Sequence, residues 1–348
     1  MSDEPNVLFA VDRGVGRITL NQPKILNALN FDMVRAIDPQ LRAWADDPDI
    51  REVLITGVGD RAFCAGGDVR GLHQYSDNRE DRLAHAADFF RAEYTLNRLI
   101  KRYPKPYIAL IDGITMGGGV GLSVHGAIRV ATERTMFAMP EMAIGFFPDV
   151  GGGYFLVHCP DHLGLYFGLA GARAKAADSL KLGVATHYVS DDRLADFEAA
   201  IGDEPIEALL EKFASDPGSG PLDQQMPAVD RCFSAGSIEA ILDTLDAEDA
   251  EWAEKAAAHM RHVSPTSLKV GLRQLKDAVG LDFEANMAME YRMCRRFMEG
   301  HDFREGVRAL LVDKDNAPQW DPASLAAVTD EAVAAYFAPL DGEELTFD

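Results

Sequence analysis

The sequence predicts an α/β fold followed by a helical C-terminal region. Three observations carry this expectation. Strand signals alternate with helix signals through the first half of the chain. Two glycine-rich loops, Ala65-Gly66-Gly67-Asp68 and Gly117-Gly118-Gly119, each follow a strand pattern and precede a helix pattern. From about residue 160 onward the pattern is helical, with few strand signals.

Residues 7–20 read as two short strands around the turn Arg13-Gly14-Val15-Gly16. Asn30 is placed to cap a helix carrying Val34, Ile37, Leu41 and Trp44, and Pro39 inside it predicts a kink or a break. Val53-Leu54-Ile55-Thr56 reads as a strand that leads towards the first glycine loop. A long helix is expected over about 81–102, with Leu83, Phe89, Phe90, Leu96, Leu99 and Ile100 along it and Pro104 and Pro106 ending it. A strand from Tyr107 to Ile111, the second glycine loop, a short apolar helix to His125 and a strand over Ile128-Arg129-Val130-Ala131 follow. Asp216-Pro217-Gly218-Ser219-Gly220-Pro221 is the strongest linker candidate. No sequence repeat and no low-complexity tract is visible.

Composition excludes several classes. The chain has 348 residues, 47% hydrophobic and 26% charged, which suits a globular protein with a large core and not a disordered or fibrous one. With 34 basic and 56 acidic residues the net charge is −22, so nucleic acid and anionic membranes are poor partners. Cys64, Cys159, Cys232 and Cys294 are widely spaced, with no Cys-x-x-Cys pair, which argues against a zinc ribbon, a redox dithiol or a disulfide scaffold. The acidic start MSDEPNVLFAVDRG is unlike a secretory signal, and no apolar run approaches the ~20 residues that span a bilayer. The expectation is a cytoplasmic protein.

Candidate chemistry rests on carboxylates and backbone amides. Helix-start N–H groups lack intrahelical partners, and two of them converging on one point would form an oxyanion hole, although tight turns with packing needs explain the glycines equally well. The stretch Pro140-Glu141 to Phe147-Pro148-Asp149-Val150-Gly151-Gly152-Gly153 sets two acids in apolar, glycine-rich surroundings. Such surroundings raise a carboxyl pKa and suit acid–base work. The alternative is that Asp149 caps the next helix. Glu93 lies beside Phe89, Phe90 and Leu96 on the long helix, either reaching a site or pairing with Arg91 or Asn97 at a rim. Gly57-Val58-Gly59-Asp60-Arg61-Ala62 is a weak dinucleotide match with no helix after it. There is no Walker A loop, no G-x-S-x-G elbow, no H-E-x-x-H and no histidine pair at ligand spacing, so neither a metal nor a redox cofactor is expected.

Ala62-Phe63-Cys64-Ala65-Gly66-Gly67-Asp68, Asp112-Gly113, Met116-Gly117-Gly118-Gly119 and Met139-Pro140-Glu141 resemble the crotonase (enoyl-CoA hydratase/isomerase) superfamily over about residues 7–200. The resemblance implies a spiral of ββα units that binds acyl-coenzyme A thioesters. It assigns the oxyanion-hole amides to Gly67 and Gly118. The run Ile114 to Gly126, Phe137-Ala138-Met139-Pro140-Glu141, Phe147 to Phe155 and Ser264-Pro265-Thr266-Ser267 are most similar to the branch that hydrolyses 3-hydroxyisobutyryl-CoA or similar short 3-hydroxyacyl-CoA thioesters, as in valine catabolism. For that branch the resemblance implies catalytic roles for Glu141 and Asp149. It implies substrate contacts at Glu93, Gly118, Glu141 and Asp149, with Lys24 and Leu26 in the coenzyme A segment.

It also implies a crotonase-like core over 1–200 and a helical region over 201–348. Coenzyme A would be part of the substrate and no separate cofactor is expected. The resemblance allows a homo-oligomer built through C-terminal helices. True hydratases place a second catalytic Glu two residues after the triple glycine, where this chain has Gly121. The rivals are therefore a hydratase or isomerase on another acyl-CoA, against which Gly121 argues, and a non-catalytic crotonase-like binding protein, against which the intact acids and the charge of −22 argue.

Overall fold

A computed structural model of the chain describes residues 4–347. Among these residues ten strands occur in chain order: β1 Val7–Asp12, β2 Val15–Leu20, β3 Glu52–Gly57, β4 Ala62–Cys64, β5 Tyr107–Leu110, β6 Ile114–Met116, β7 Ile128–Ala131, β8 Met136–Ala138, β9 Arg173–Ala174 and β10 His187–Tyr188. They form a six-stranded sheet, β1-β2-β3-β5-β7-β10, and a four-stranded sheet, β4-β6-β8-β9. β1 and β2 pair as an antiparallel hairpin, and β3, β5, β7 and β10 continue the first sheet in parallel. Four times along the chain two strands are followed by helix: β1 and β2 by Phe31–Asp46, β3 and β4 by Val69–Gln74 and Arg79–Lys101, β5 and β6 by Gly118–Gly121, β7 and β8 by a 3-10 turn Glu141–Ile144 and then Gly152–Leu156. This is the expected spiral of ββα units. The second strand of the later repeats is only three residues long, which brings the chain quickly from the main sheet to a loop.

The chain divides into two compact units that interleave along the sequence. The first comprises 1–67, 95–137 and 173–223. Its core is the buried face of the main sheet, with Val15, Leu54, Ile108, Leu110 and Val130 packed against Phe197, Leu209 and Phe213. The second comprises 68–94, 138–172 and 224–348. It is helical, and its aromatic core joins Phe90, Phe146, Phe147 and Phe297 at centroid separations of 4.5–5.7 Å. The linker candidate 216–221 lies just before the last crossing from the first unit to the second, at Asp223. All elements from Ile206 onward are helical among the described residues, and none of the helices there is long and apolar enough to cross a membrane.

The Phe31–Asp46 helix runs through Pro39 without the break that was the second of the two outcomes the sequence allowed for. A mid-helix proline costs about 3 kcal/mol. The helix buries Met33, Val34, Ile37, Leu41 and Trp44 on one face. At roughly 1.5–3 kcal/mol per buried side chain, that face outweighs the missing bond. Asn30 caps it as expected, its side chain accepting from the Met33 N–H. The helix expected to reach His125 is regular only over Gly118–Gly121 and continues as turns.

Candidate active site

In the first unit the two glycine loops are neighbours because β4 and β6, which feed them, pair in parallel through Ala62↔Ile114 and Cys64↔Thr115. Gly66, at φ +119°, lies against the second loop, and a Cβ there would sit 3.6 Å from the Met116 carbonyl oxygen. A Cβ on Gly119 would sit 2.3 Å from the Cys64 carbonyl oxygen, so the close approach of the two loops requires glycine. Gly118 is the first residue of its short helix, where backbone N–H groups have no intrahelical acceptor. Gly67 pairs with Leu29 in an isolated parallel bridge, supported by the Leu29 N–H donating to Gly66 O at 2.8 Å. The structure thus brings Gly67 and Gly118 into adjacent loops.

The segment carrying Lys24 and Leu26 is fastened to the first of these loops. The Asn27 amide donates to Val58 O and Ala62 O and accepts from the Gln22 N–H. The Ala65 N–H donates to Leu26 O at 3.0 Å. Lys24 lies exposed in the 3-10 turn Pro23–Ile25, and Leu26 adopts φ +56°.

In the second unit the three sequence-predicted acids meet. Glu93 arrives on the Arg79–Lys101 helix, Glu141 opens the 3-10 turn, and Asp149 sits in the loop before Gly152–Leu156. They are 2%, 5% and 5% exposed. Glu93 Oε1 and Glu141 Oε2 have no hydrogen-bond partner among the described residues. Asp149 Oδ2 accepts from the Tyr94 hydroxyl at 2.8 Å.

Burial pushes Glu93 well above the usual carboxylate range, and the charge of Asp149 adds to it. Glu141 is raised well for the same two reasons, with lesser contributions from Glu290 and Glu93. Asp149 is raised by burial to about 7, held down in part by the Tyr94 hydroxyl. The bland alternatives fall away. Gly151, not Asp149, occupies the N-cap of the next helix, and the Arg91 guanidinium reaches the carbonyls of Glu343 and Glu344.

Sequence reasoning missed Tyr94 and the support behind Asp149. That support comes from the helices Pro265–Asp277 and Phe283–Glu299. Glu290 Oε2 accepts from the Gly151 N–H at 2.7 Å, and Oε1 accepts from the Gly153 N–H and the Asn286 amide, each at 2.8 Å. The Gln274 amide donates to Pro148 O at 2.7 Å. Burial pushes Glu290 up, and the donors on both of its oxygens pull it back towards the ionised form. The loop between is strained: Val150 is a β-branched residue at φ +53°, a conformation costing of order 1–3 kcal/mol. Glu290 carries the same signal as Glu93, a carboxylate flanked by Met287, Met289, Tyr291 and Met293 on one helix.

This arrangement can do specific chemistry. Buried carboxyl groups without donors are strong bases once ionised, and each unpartnered oxygen is an open acceptor for a hydroxyl or a water. The glycine loops offer backbone N–H groups to a developing oxyanion.

Residues 15–337 match the enoyl-CoA hydratase/isomerase family. A mitochondrial 3-hydroxyisobutyryl-CoA hydrolase from Xenopus tropicalis is 47% identical over 341 residues, covering 95% of this chain and 88% of its own length. The human mitochondrial 3-hydroxyisobutyryl-CoA hydrolase is 44% identical over 343 residues, with the same coverages. Among solved structures, a carnitinyl-CoA dehydratase from Mycobacterium thermoresistibile superposes with a TM-score of 0.94 at 43% identity, covering 99% of each chain. An enoyl-CoA hydratase from Rhodobacter sphaeroides gives 0.93 at 38%, covering 99% of this chain and all of its own. The fold is that of the solved dehydratase and hydratase structures it superposes on, and the chain belongs to the enoyl-CoA hydratase/isomerase family.

Proposed function

We propose that the protein hydrolyses 3-hydroxyisobutyryl-CoA, or a similarly short 3-hydroxyacyl-CoA thioester, to the free acid and coenzyme A, the step valine catabolism needs. The observation that carries this reading is the pair of unpartnered, buried carboxylate oxygens of Glu93 and Glu141 beside Asp149. Relatives at 44–47% identity named for this hydrolysis support it.

Each residue then has a role. The Gly67 and Gly118 N–H groups hold the thioester oxygen as it becomes an oxyanion, and losing one such donor typically costs ~3–4 kcal/mol. Glu141, ionised, either attacks the thioester carbon to give an acyl anhydride that water opens, or takes a proton from the attacking water. Solvent ¹⁸O in a single turnover separates the routes, since only the anhydride route exchanges a Glu141 oxygen. Asp149, raised to about 7, is poised to give a proton to the leaving thiolate. Glu93 accepts from the substrate hydroxyl. Lys24 and Leu26 take the coenzyme A end. The reaction needs no separate cofactor.

Hydration is the reading that the names of the two superposing structures would suggest. It calls for a second acid where this chain has the buried Gly121, which has no side chain to serve. Residence in a reducing cytoplasm belongs to the same proposal, supported by the wide spacing of four buried cysteines. Its counterweight is that the hydrolase relatives are mitochondrial.

The test is kcat/KM for thiol release from 3-hydroxyisobutyryl-CoA, 3-hydroxypropionyl-CoA and isobutyryl-CoA, with loss of enoyl absorbance from crotonyl-CoA followed in parallel. A site that hydrogen-bonds a hydroxyl rejects the deoxy analogue by up to ~10⁴-fold, whereas one methyl group is worth ~10–200-fold. Isobutyryl-CoA is therefore the poorest of the three thioesters, and Glu93→Ala shrinks the hydroxyl preference more than the methyl preference. Equal use of isobutyryl-CoA, or hydration as fast as thiol release, overturns the assignment.

A further inference from the structure

We propose that Glu290 is a positioning residue for the reaction: its carboxylate clamps the Pro148–Gly153 loop and so holds Asp149 in its working place. This rests on the hydrolase reading for the role of Asp149, and on geometry for the clamp.

The loop is held from several sides. One Glu290 oxygen takes the Gly151 N–H and the other takes the Gly153 N–H, at 2.7 and 2.8 Å. The Gln274 amide fixes the Pro148 carbonyl, on the other side of Asp149. Tyr94 fixes the Asp149 carboxylate itself. Gln274 Nε2 also approaches Glu290 Oε1 at 3.4 Å, and Asn286, one helical turn from Glu290, donates to that oxygen. Between these anchors Val150 is forced to positive φ and Gly151 to φ +81°. A loop with a β-branched residue in that region does not keep its shape unaided; the surroundings must impose it.

The fit around the clamp is close. A Cβ on Gly153 would lie 2.6 Å from Asn286 Oδ1 and 3.0 Å from both Gln274 Nε2 and Glu290 Oε1. Every polar neighbour that bonds Glu290 is a donor, so the position calls for an acceptor on both oxygens. A glutamine there keeps the shape but turns one oxygen into a donor that faces another donor. The buried acids and the tyrosine that share this space, Glu93, Tyr94, Glu141 and Asp149, supply no positive charge to neutralise it. The clamp therefore works through backbone amides and not through an ion pair.

The test is kinetic, on the full chain. Glu290→Gln is expected to lower kcat for 3-hydroxyisobutyryl-CoA at least ~10-fold while KM changes less than ~3-fold, because displacing a catalytic group by about an ångström costs up to ~10²-fold. The discriminating readout is a double-mutant cycle with Asp149→Asn. If Glu290 acts through Asp149, adding Glu290→Gln to Asp149→Asn costs less than ~2-fold, whereas a general structural defect would multiply in full.

If Glu290→Gln does not fold, Asn286→Ala, which removes one donor and leaves the carboxylate, carries the same cycle with a smaller loss. A folded Glu290→Gln protein with kcat within ~2-fold of wild type, or a fully multiplicative cycle, overturns the clamp. A wild type that releases no thiol from any of the three thioesters overturns the hydrolase reading and this role with it. An active wild type beside an unaffected variant overturns the clamp alone.

Discussion

Glu141 differs from an ordinary buried acid in what it lacks. A structural carboxylate in a protein interior is ringed by donors, as Glu290 is by two backbone amides and Asn286. Glu141 keeps one oxygen without a partner among the described residues, at an unfavourable burial that a merely structural role would not maintain. Asp149 is intermediate, with one donor from Tyr94. Glu141→Gln and Asp149→Asn are therefore each expected to lose at least ~10²-fold in thioester hydrolysis, the scale of general acid–base contributions, while remaining folded. Circular dichroism and thiol release on purified variants check this, and near-wild-type turnover by either removes that residue from the mechanism. Glu93, Glu141 and Asp149 were legible in the sequence because a lone carboxylate in an apolar stretch is a local signal. Tyr94 was not, since an aromatic on an apolar helical stripe reads as core. Glu290 carries the same local signal, but its role was not legible, because that role lies in loop amides 137 and 139 positions away.

At the scale of elements, the glycine loops are where strand pairing becomes function. β4 and β6 are short and parallel, so the loops that leave them start side by side. Gly119 marks how closely they pass. Gly119→Ala has a methyl 2.3 Å from the Cys64 carbonyl oxygen and must push β4 and the second loop apart. Overpacking of this kind costs ~1–3 kcal/mol, a few degrees in Tm for a chain of this size. The separation also spoils the Gly67–Gly118 pair, so hydrolysis falls at least ~10-fold. Gly236→Ala, where a Cβ meets nothing within 4 Å, is the control. Wild-type hydrolysis by Gly119→Ala would show that the oxyanion amides do not depend on this approach. Both loops were visible as strand–glycine–helix patterns. The ββα repetition was legible only through the family resemblance, because each repeat follows its strands with a different helix or turn and leaves no repeated sequence. β9 and β10 were missed because two residues make no periodic pattern. Pro39 does not break its helix because the face buried on both sides of it, from Met33 to Trp44, outweighs the proline's propensity cost.

For the whole molecule, the acid cluster ties stability to pH in a direction opposite to that of most acidic proteins. Paired surface carboxylates such as Glu305 and Asp315 sit below their usual range, so what they add is present at neutral pH and lost only in acid. His73, His187 and His259 are lowered from 6.5 by burial, so their contribution is lost as pH falls below that value. Glu93 and Glu141 are raised well above the usual carboxylate range, and Asp149 to about 7. In these three the folded state holds protons that the unfolded chain has already released, so their contribution is complete only below about pH 4 and is lost as pH climbs through the folded values. From about pH 7 to about pH 8.5 the histidines and surface acids have finished titrating and the cluster dominates, so Tm falls across that range. A permanently neutral side chain removes one proton from this balance. Glu141→Gln is thus expected to flatten the fall and to be more stable than wild type at about pH 8.5 while nearly inactive, the trade-off of an active site built at the expense of stability. Thermal melts of both proteins at constant ionic strength, needed because a net charge of −22 makes the fold salt-sensitive, measure the two slopes. A Glu141→Gln protein less stable than wild type at every pH would mean that partners hold this carboxylate, and the unpartnered oxygen on which the mechanism rests would lose its significance.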